Sequence, residues 1–237
     1  MKLYRYISLQ AFCELIYNKQ LTFKQPKMWP DQYEGYSYKL LDSPEGKDHI
    51  NEILNKRISE PKHRQNAQNM LRLLGDSLYC VCFSLNKNEE VMWNAYGYHN
   101  QTIMIEVEED KLNFANAPAP YILPVEYDLE EHGLAFLTSN LFEYDSGIVI
   151  ENATDSMKHK RKCFSYEKEV RVIIQDIEHS HEGQRRYDIE DISSLVTGVM
   201  VHPLATPEYV KMINTLCDTF SLKFWGKSNI YDLNTVY

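Results

Sequence analysis

Glycine and proline are scarce in this chain of 237 residues, with nine of each. That scarcity excludes collagen-like, linker-like and low-complexity sequences. No apolar run approaches the roughly 18–20 residues that a transmembrane helix needs. The first residues, MKLYRY, contain neither an apolar signal-peptide core nor a small-residue cleavage site. We therefore expect a cytoplasmic globular protein that does not associate with a membrane.

Cysteine is also sparse, and its pattern carries no metal or disulfide signature. The chain has five cysteines, an odd number, and no CxxC pair. No pair of cysteines or histidines has zinc-finger spacing. We expect buried thiols, no disulfide framework and no metal.

Basic residues are outnumbered, with 25 Lys and Arg against 34 Asp and Glu, a formal charge of −9. This balance argues against a protein that coats nucleic acid nonspecifically, although it does not exclude a local basic groove. Neither GxGxxG nor GxxxxGKS occurs, which argues against NAD or ATP bound as in Rossmann or P-loop proteins.

Hydrophobic patterning predicts short strands mixed with helices, without regular βαβ alternation, which indicates an α+β fold. Strands are expected at 3–8, 21–24, 78–84, 102–107, 169–175 and 196–201, and a strand at 185–189 is expected to pair with 169–175. Helices are expected at 9–18 and 207–220, within 128–158, and at 47–75 with a break at Pro61. We expect one domain over residues 1–237, in which the polar helices at about 47–75 are an insertion.

The segment YEKEVR is the first candidate site. In a strand, Glu167, Glu169 and Arg171 would share one face, because side chains alternate. Two neighbouring carboxylates repel each other and raise the pKa of one, which suits acid–base work or stabilisation of a positive charge. The alternative is a solvated strand face, with Arg171 paired to one of the glutamates.

Single residues elsewhere add weaker signals. Arg5, in the first strand, is suited to bidentate bonds with phosphate or carboxylate, or to a salt bridge at the sheet edge. Ser84 ends an apolar strand and could orient a ligand or cap the following turn. Trp93 and Tyr96 are adjacent on a helix and could stack on a planar ligand, although core packing is the more common role of such a tryptophan.

Two charged segments have alternative interpretations. The loop WPDQYE contains Asp31 and Glu34, which could bind ribose hydroxyls or a metal, or could belong to turn chemistry. The basic run KHKRK at 158–162 is expected to be a solvated face, or else to guide a phosphate group.

Six motifs occur in this order along the chain: LYRY, WPDQYEG, CFSLNKNEEVMWNAYG, TIMIEV, KRKCFSYEKEVRVII and VTGVMVHPLATPE. Together they resemble the bacterial domain-of-unknown-function family 2971. The sequence departs from the family at Pro30-Asp31-Gln32, where Asn-Asp-Pro is usual, and at Phe164, where tryptophan is common. The family name implies no activity.

An Arg on the first strand, a Ser ending a middle strand and an ExE on a late strand resemble ADP-ribosyltransferases. This resemblance implies a mixed or antiparallel split sheet with flanking helices, and NAD as a substrate. It implies that Arg5 and Ser84 hold NAD, that Glu169 stabilises the oxocarbenium-like ribose and that Glu167 assists the acceptor. Tyr96 or Trp93 would stack on nicotinamide.

The leading hypothesis is therefore an NAD-consuming ADP-ribosyltransferase. We expect a toxin or antiphage effector that modifies a protein or nucleic acid and has an antitoxin or regulatory partner. One alternative is a metal-dependent nuclease using Asp31, Glu34, Glu167 and Glu169. The other is a non-catalytic binding or regulatory module, in which the YEKEVR charges form a structural network.

Overall fold

The computed structural model describes residues 1–35, 39, 43–97, 99–129, 154, 156–180 and 182–232. Its strands are β1 (Lys2–Ile7), β2 (Gln20–Lys24), β3 (Leu78–Ser84), β4 (Ile103–Glu108), β5 (Tyr121–Pro124), β6 (Glu169–Gln175), β7 (Gln184–Asp188), β8 (Val196–Val201) and β9 (Phe224–Lys227). Its α-helices are α1 (Leu9–Asn18), α2 (Pro44–Arg57), α3 (Pro61–Ser77), α4 (Glu90–Ala95), α5 (Ile192–Leu195) and α6 (Pro207–Thr219). The helix expected within 128–158 falls mostly on residues 130–153, outside the described part.

Local chemistry explains where the helices begin. The Ser8 hydroxyl accepts a hydrogen bond from the Ala11 amide at 3.2 Å and caps α1. Pro61 occupies the first turn of α3, where the missing amide hydrogen has no consequence. The prediction of two helices separated at Pro61 is confirmed.

The strands form one mixed sheet that splits at β3. The order is β5-β6-β3-β1-β4-β8-β9, and all neighbours in it are antiparallel except β8 and β9. β1 pairs with the end of β3 at Ser84, whereas β2 pairs with the same strand at Cys80. The two strands diverge from one edge of β3, so the expected α+β fold with a split sheet is confirmed.

The predicted pairing of the strand at 185–189 with β6 is wrong. β7 instead pairs with β2, from Gln20 opposite Asp188 to Lys24 opposite Gln184. β6 has no free edge for it, because β3 pairs with one side and β5 with the other. The two-stranded ribbon of β2 and β7 therefore forms its own arm of the split sheet.

The sheet buries both of its faces. The main core lies on one face, where α1 contributes Phe12 and Ile16 and α6 contributes Ile213. On the other face, α2 and α3 pack Leu54 and Leu74 against the sheet. A smaller cluster lies beneath α4 on that same side. None of the described helices is long and apolar enough to cross a membrane.

We predict that Gly198→Ala destabilises the protein through a clash with Trp225. A Cβ at Gly198 would lie 2.0 Å from a carbon of the Trp225 ring. Overpacking of this kind costs about 1–3 kcal/mol in the free energy of unfolding, measured by urea denaturation. Because Trp225→Ala removes the obstacle, the double variant should lose less stability than the sum of the single variants. Additive losses would show that the clash is not the cause.

Candidate active site

A cavity of about 570 Å³ occupies the split between β1 and β2. The β3 residues that pair with the two diverging strands, Ser84 and Cys80, are four positions apart, roughly 13 Å along an extended strand. Five of the six residues predicted to form a site line this cavity: Arg5, Ser84, Tyr96, Glu167 and Glu169. The split sheet thus brings together side chains that are far apart in the sequence.

The sixth predicted residue, Trp93, does not line the cavity. Its side chain is fully buried, with its ring edge-on to Tyr6 at a centroid distance of 4.8 Å. Its indole nitrogen donates to Asn88 Oδ1 at 3.0 Å. The proposed stacking of Trp93 on a ligand is therefore corrected to core packing. Tyr96, one turn further along, lines the cavity and is 45% exposed.

Arg5 supplies a positive charge to the cavity wall. Its side chain is half-buried, and its guanidinium has no hydrogen-bond or carboxylate partner among the residues that the structure describes. Burial lowers the pKa of Arg5, because desolvation disfavours the charged form, but arginine stays protonated at neutral pH. An unpaired guanidinium in a cavity is suited to binding an anion.

The ribbon of β2 and β7 turns its polar face to the same cavity. Leu21, Phe23 and Tyr187 of the ribbon belong to the main core. The alternating polar positions line the cavity, together with Leu21: Gln20, Thr22, Lys24, Gln184 and Arg186. Lys24 and Arg186 are exposed, and neither has an ion-pair partner within the described part of the chain. This wall of the cavity is therefore basic.

Glu167 and Glu169 meet, although not in the way that strand alternation predicts. Only Glu169 belongs to β6, whereas Glu167 ends the 3-10 segment Lys162–Glu167. Between them, Lys168 has φ of 40°, a left-handed conformation that turns the chain. Both carboxylates are nevertheless buried at the same point, because both bind the ammonium of Lys160.

Ser84 connects β3 to the segment that carries Glu167. Its hydroxyl donates to the Glu167 carbonyl oxygen at 2.5 Å and accepts from the Asn86 amide at 2.9 Å. Asn86 Nδ2 also donates to the Tyr166 carbonyl oxygen at 2.6 Å. Ser84 therefore holds the backbone of Glu167 in place; direct contact of its hydroxyl with a ligand remains a prediction.

Lys160 is the residue at the centre of the site, and its role differs from the sequence expectation. Its Nζ lies 2.8 Å from Glu34 Oε1, 2.5 Å from Glu167 Oε2 and 2.7 Å from Glu169 Oε2. The interpretation of 158–162 as a solvated or phosphate-guiding run is wrong for this lysine, which is only 6% exposed. The three carboxylates compensate its desolvation, and nothing in the pattern KHKRK distinguishes it from its neighbours.

Arg171 completes the cluster from inside the sheet. In the fully buried guanidinium, Nε donates to Glu169 Oε1 at 2.7 Å and Nη1 donates to the Met157 carbonyl oxygen at 2.6 Å. The guanidinium also donates to Glu34 Oε1 at 3.1 Å and lies 5.0 Å from the ring centroid of Trp29. Glu34 thus ties the loop at 29–35 to both buried cations.

These contacts push the pKa values of the two site glutamates apart. Burial by itself raises the pKa of Glu169, but Arg171 and Lys160 outweigh it and lower that pKa to about 2. Burial raises the pKa of Glu167, because the ion pair with Lys160 only partly compensates it. A neighbouring pair with divergent pKa values can supply one permanent anion and one proton acceptor.

The carboxylates considered for a nuclease metal site are already engaged by cations. Asp31 accepts from Arg161 at 2.8 Å, and Glu34, Glu167 and Glu169 surround Lys160. A divalent ion there would have to displace a buried ammonium. Elsewhere in the described residues, one group has ligand atoms within 4.8 Å of one another: Glu126, Asp128 and His159. In that group His159 Nδ1 lies 2.7 Å from Asp128 Oδ1.

Residues 92–172 match the model of a family described as protein of unknown function DUF2971. The resemblance indicated by the sequence motifs is confirmed over this stretch, which contains Tyr96, Lys160, Glu167 and Glu169. No curated protein gives a significant match to the sequence.

Among solved structures, three complexes of DarT from Thermus sp. 2.9 are similar to this chain. The complex with NAD+ has a TM-score of 0.40 and 9% identity, and the match covers 94% of this chain and 93% of that one. The complex with ADP-ribosylated ssDNA has a TM-score of 0.38 and 10% identity over 94% and 92% of the chains. The complex with carba-NAD+ has a TM-score of 0.38 and 9% identity over 94% and 93%. The likeness concerns the backbone alone, so the activity has to be argued from the side chains of this chain.

We predict that Arg171→Met lowers the free energy of unfolding by about 3–5 kcal/mol, because it leaves buried carboxylates short of a cation. Urea denaturation followed by circular dichroism measures the loss. The matched control is Lys56→Met, which breaks an exposed i,i+4 pair with Glu52 and should cost at most about 0.5 kcal/mol. Similar small losses in both variants would contradict a structural role of the buried cluster.

Proposed function

We propose that this protein is an ADP-ribosyltransferase that consumes NAD+ in the cavity between β1 and β2. The observation that carries this proposal is the order of charges along β3. Glu167 and Glu169 lie at the Ser84 end, Arg5 lies beside the point of divergence, and the basic ribbon meets β3 at Cys80. The cavity volume falls within the range of about 300–1,000 Å³ that is typical of small-molecule sites.

NAD+ has the complementary order of charges. Its nicotinamide ring is cationic, its diphosphate is anionic, and its adenosine follows at the far end. The Arg5 guanidinium is suited to the diphosphate, because arginine binds phosphate oxygens in a bidentate manner. The nicotinamide riboside would then lie at the carboxylate end, where the half-exposed ring of Tyr96 offers a stacking surface.

The chemistry assigns different tasks to the two glutamates. When the C1′–N bond breaks, its electron pair leaves with neutral nicotinamide and positive charge develops on the ribose. Glu169, ionised at neutral pH, stabilises that charge, as a carboxylate does in glycoside hydrolysis. An acceptor atom then forms the new bond to C1′, and Glu167 takes the proton that the acceptor loses.

A second candidate function is binding without catalysis at the same cavity. One observation favours it: both oxygens of Glu169 are bound by cations, and the side chain is only 4% exposed. Such a carboxylate can be a purely structural ion-pair partner. The two candidates differ in whether bound NAD+ is cleaved.

We predict that Glu169→Gln lowers nicotinamide release by about 100-fold or more, because a neutral amide no longer stabilises the cationic ribose. Glu190→Gln, an exposed glutamate outside the cavity, is the matched control. Calorimetric NAD+ binding and circular dichroism establish that the variant is folded and loaded. Transfer of labelled ADP-ribose to protein, single-stranded DNA or RNA, followed by protease or nuclease, identifies the acceptor class.

Wild-type protein that binds NAD+ without releasing nicotinamide would favour the non-catalytic candidate. Absence of NAD+ binding would contradict both the transferase assignment and the assignment of the cavity. Unchanged release by Glu169→Gln would remove Glu169 from the reaction.

We predict that Arg5→Met weakens NAD+ binding by about 10–100-fold, as expected for the loss of charged hydrogen bonds. Binding of nicotinamide riboside, which has no phosphate, should change little, because it lacks the group that Arg5 contacts. Titration calorimetry measures the ratio of the dissociation constants of variant and wild type, once for NAD+ and once for nicotinamide riboside. An equal loss for both ligands would show that Arg5 does not act on the diphosphate.

A further inference from the structure

We propose that Lys160 is a positioning residue that holds Glu167 and Glu169 on one ammonium and sets how this pair shares its proton. The pH profile of activity that tests this proposal rests on the proposed function, whereas the titration of the carboxyl groups does not. It goes beyond the predicted catalytic pair, because it assigns a task to a lysine that never touches the substrate.

The geometry of the ammonium excludes direct contact with a substrate. A lysine ammonium has three N–H donors. Three carboxylate oxygens, from Glu34, Glu167 and Glu169, lie within 2.8 Å of Nζ. All three donors are therefore used inside the protein.

The backbone of Lys160 is fixed on both sides. Its amide donates to the Glu126 carbonyl oxygen at 2.9 Å, and its carbonyl oxygen accepts from the Leu129 amide at 3.3 Å. Between these two residues, the Tyr127 hydroxyl accepts from the Glu169 amide at 2.7 Å. The same segment thus holds the lysine and the first residue of β6 in register.

The two glutamates depend on Lys160 to different extents. Glu169 has a second cation, because Arg171 Nε binds its other oxygen. Within the described residues, Lys160 is the one cation at ion-pair distance from Glu167. Removing the ammonium should therefore act mainly on Glu167, whose ionised form would lose its charged partner.

The phenol and thiol groups around the two glutamates do not titrate in the acidic range. Besides Lys160 and Glu169, the titratable groups that interact with Glu167 are Tyr96, Tyr127 and Tyr166. Arg171 and Cys82 act on Glu169, and Glu34 binds Lys160 and Arg171. Burial raises the pKa of each of the three phenols. The pKa of the Cys82 thiol is raised by its hydrogen bond with Cys80 and by burial. These four groups stay neutral through the acidic range.

The test compares wild type with Lys160→Met, Lys160→Arg and Lys162→Met, the last being an exposed lysine of the same basic run. The ammonium lowers the pKa of Glu167, so its loss raises that pKa. Because Glu167 acts on the acceptor, the acidic limb of the pH profile of ADP-ribose transfer to the acceptor should move up by about 1–2 pH units in Lys160→Met. Lys160→Arg keeps a cation at this position and should leave the profile close to that of wild type. Lys162→Met should show no shift.

A second readout does not need activity. Carbon-13 NMR of carboxyl-labelled glutamates follows the titration of Glu167 directly, with Glu167→Gln to assign its resonance. Glu34→Gln removes a negative charge from the cluster and should shift the Glu167 titration in the opposite direction, to lower pH. This variant keeps the test decisive if Lys160→Met does not fold.

Lower activity in Lys160→Met with an unshifted pH profile and an unshifted Glu167 resonance would overturn the proposal and leave Lys160 a structural residue. If wild type releases no nicotinamide, the proposed function fails while the carboxylate titration still decides the role of Lys160.

Discussion

The buried charge cluster is the constraint on which the rest of this structure depends. Its two cations and three carboxyl groups are Lys160, Arg171, Glu34, Glu167 and Glu169. Removing such groups from water is unfavourable unless every charge finds partners in good geometry. The cluster therefore fixes the loop at 29–35, the segment that precedes β6, and β6 itself relative to one another.

Two members of this cluster, Glu167 and Glu169, line the cavity, so the groups that stabilise the fold also shape the cavity wall. With three carboxyl groups against two cations, the cluster places an excess of negative character at the Ser84 end of β3. Arg5 and the basic wall of the β2–β7 ribbon provide the opposite sign further along. A cavity with two electrostatic ends discriminates between ligands by the order of their charges, and low dielectric strengthens that discrimination.

The split of the sheet is what creates this arrangement. One edge of β3 serves two strands in turn, β1 near Ser84 and β2 near Cys80, and the space between them becomes the cavity. The polar alternation of the ribbon then turns five polar side chains towards the cavity. A continuous sheet would have covered these positions with another strand.

The sequence by itself determined most of the local structure and the identity of five cavity residues. Apolar runs such as 78–84 and 169–175, the Ser8 cap and Pro61 act over a few residues, so their effects can be predicted from spacing. Strand pairing is non-local, and for that reason only the tertiary structure showed that β7 joins β2. It also decided that Trp93 is a core residue and that Lys160, in a run of similar cations, is buried. All of these outcomes depend on which residues distant in the sequence meet in the fold. For Lys160 the physical reason is that a lone buried charge is unfavourable and becomes stable only when the fold supplies its counter-charges.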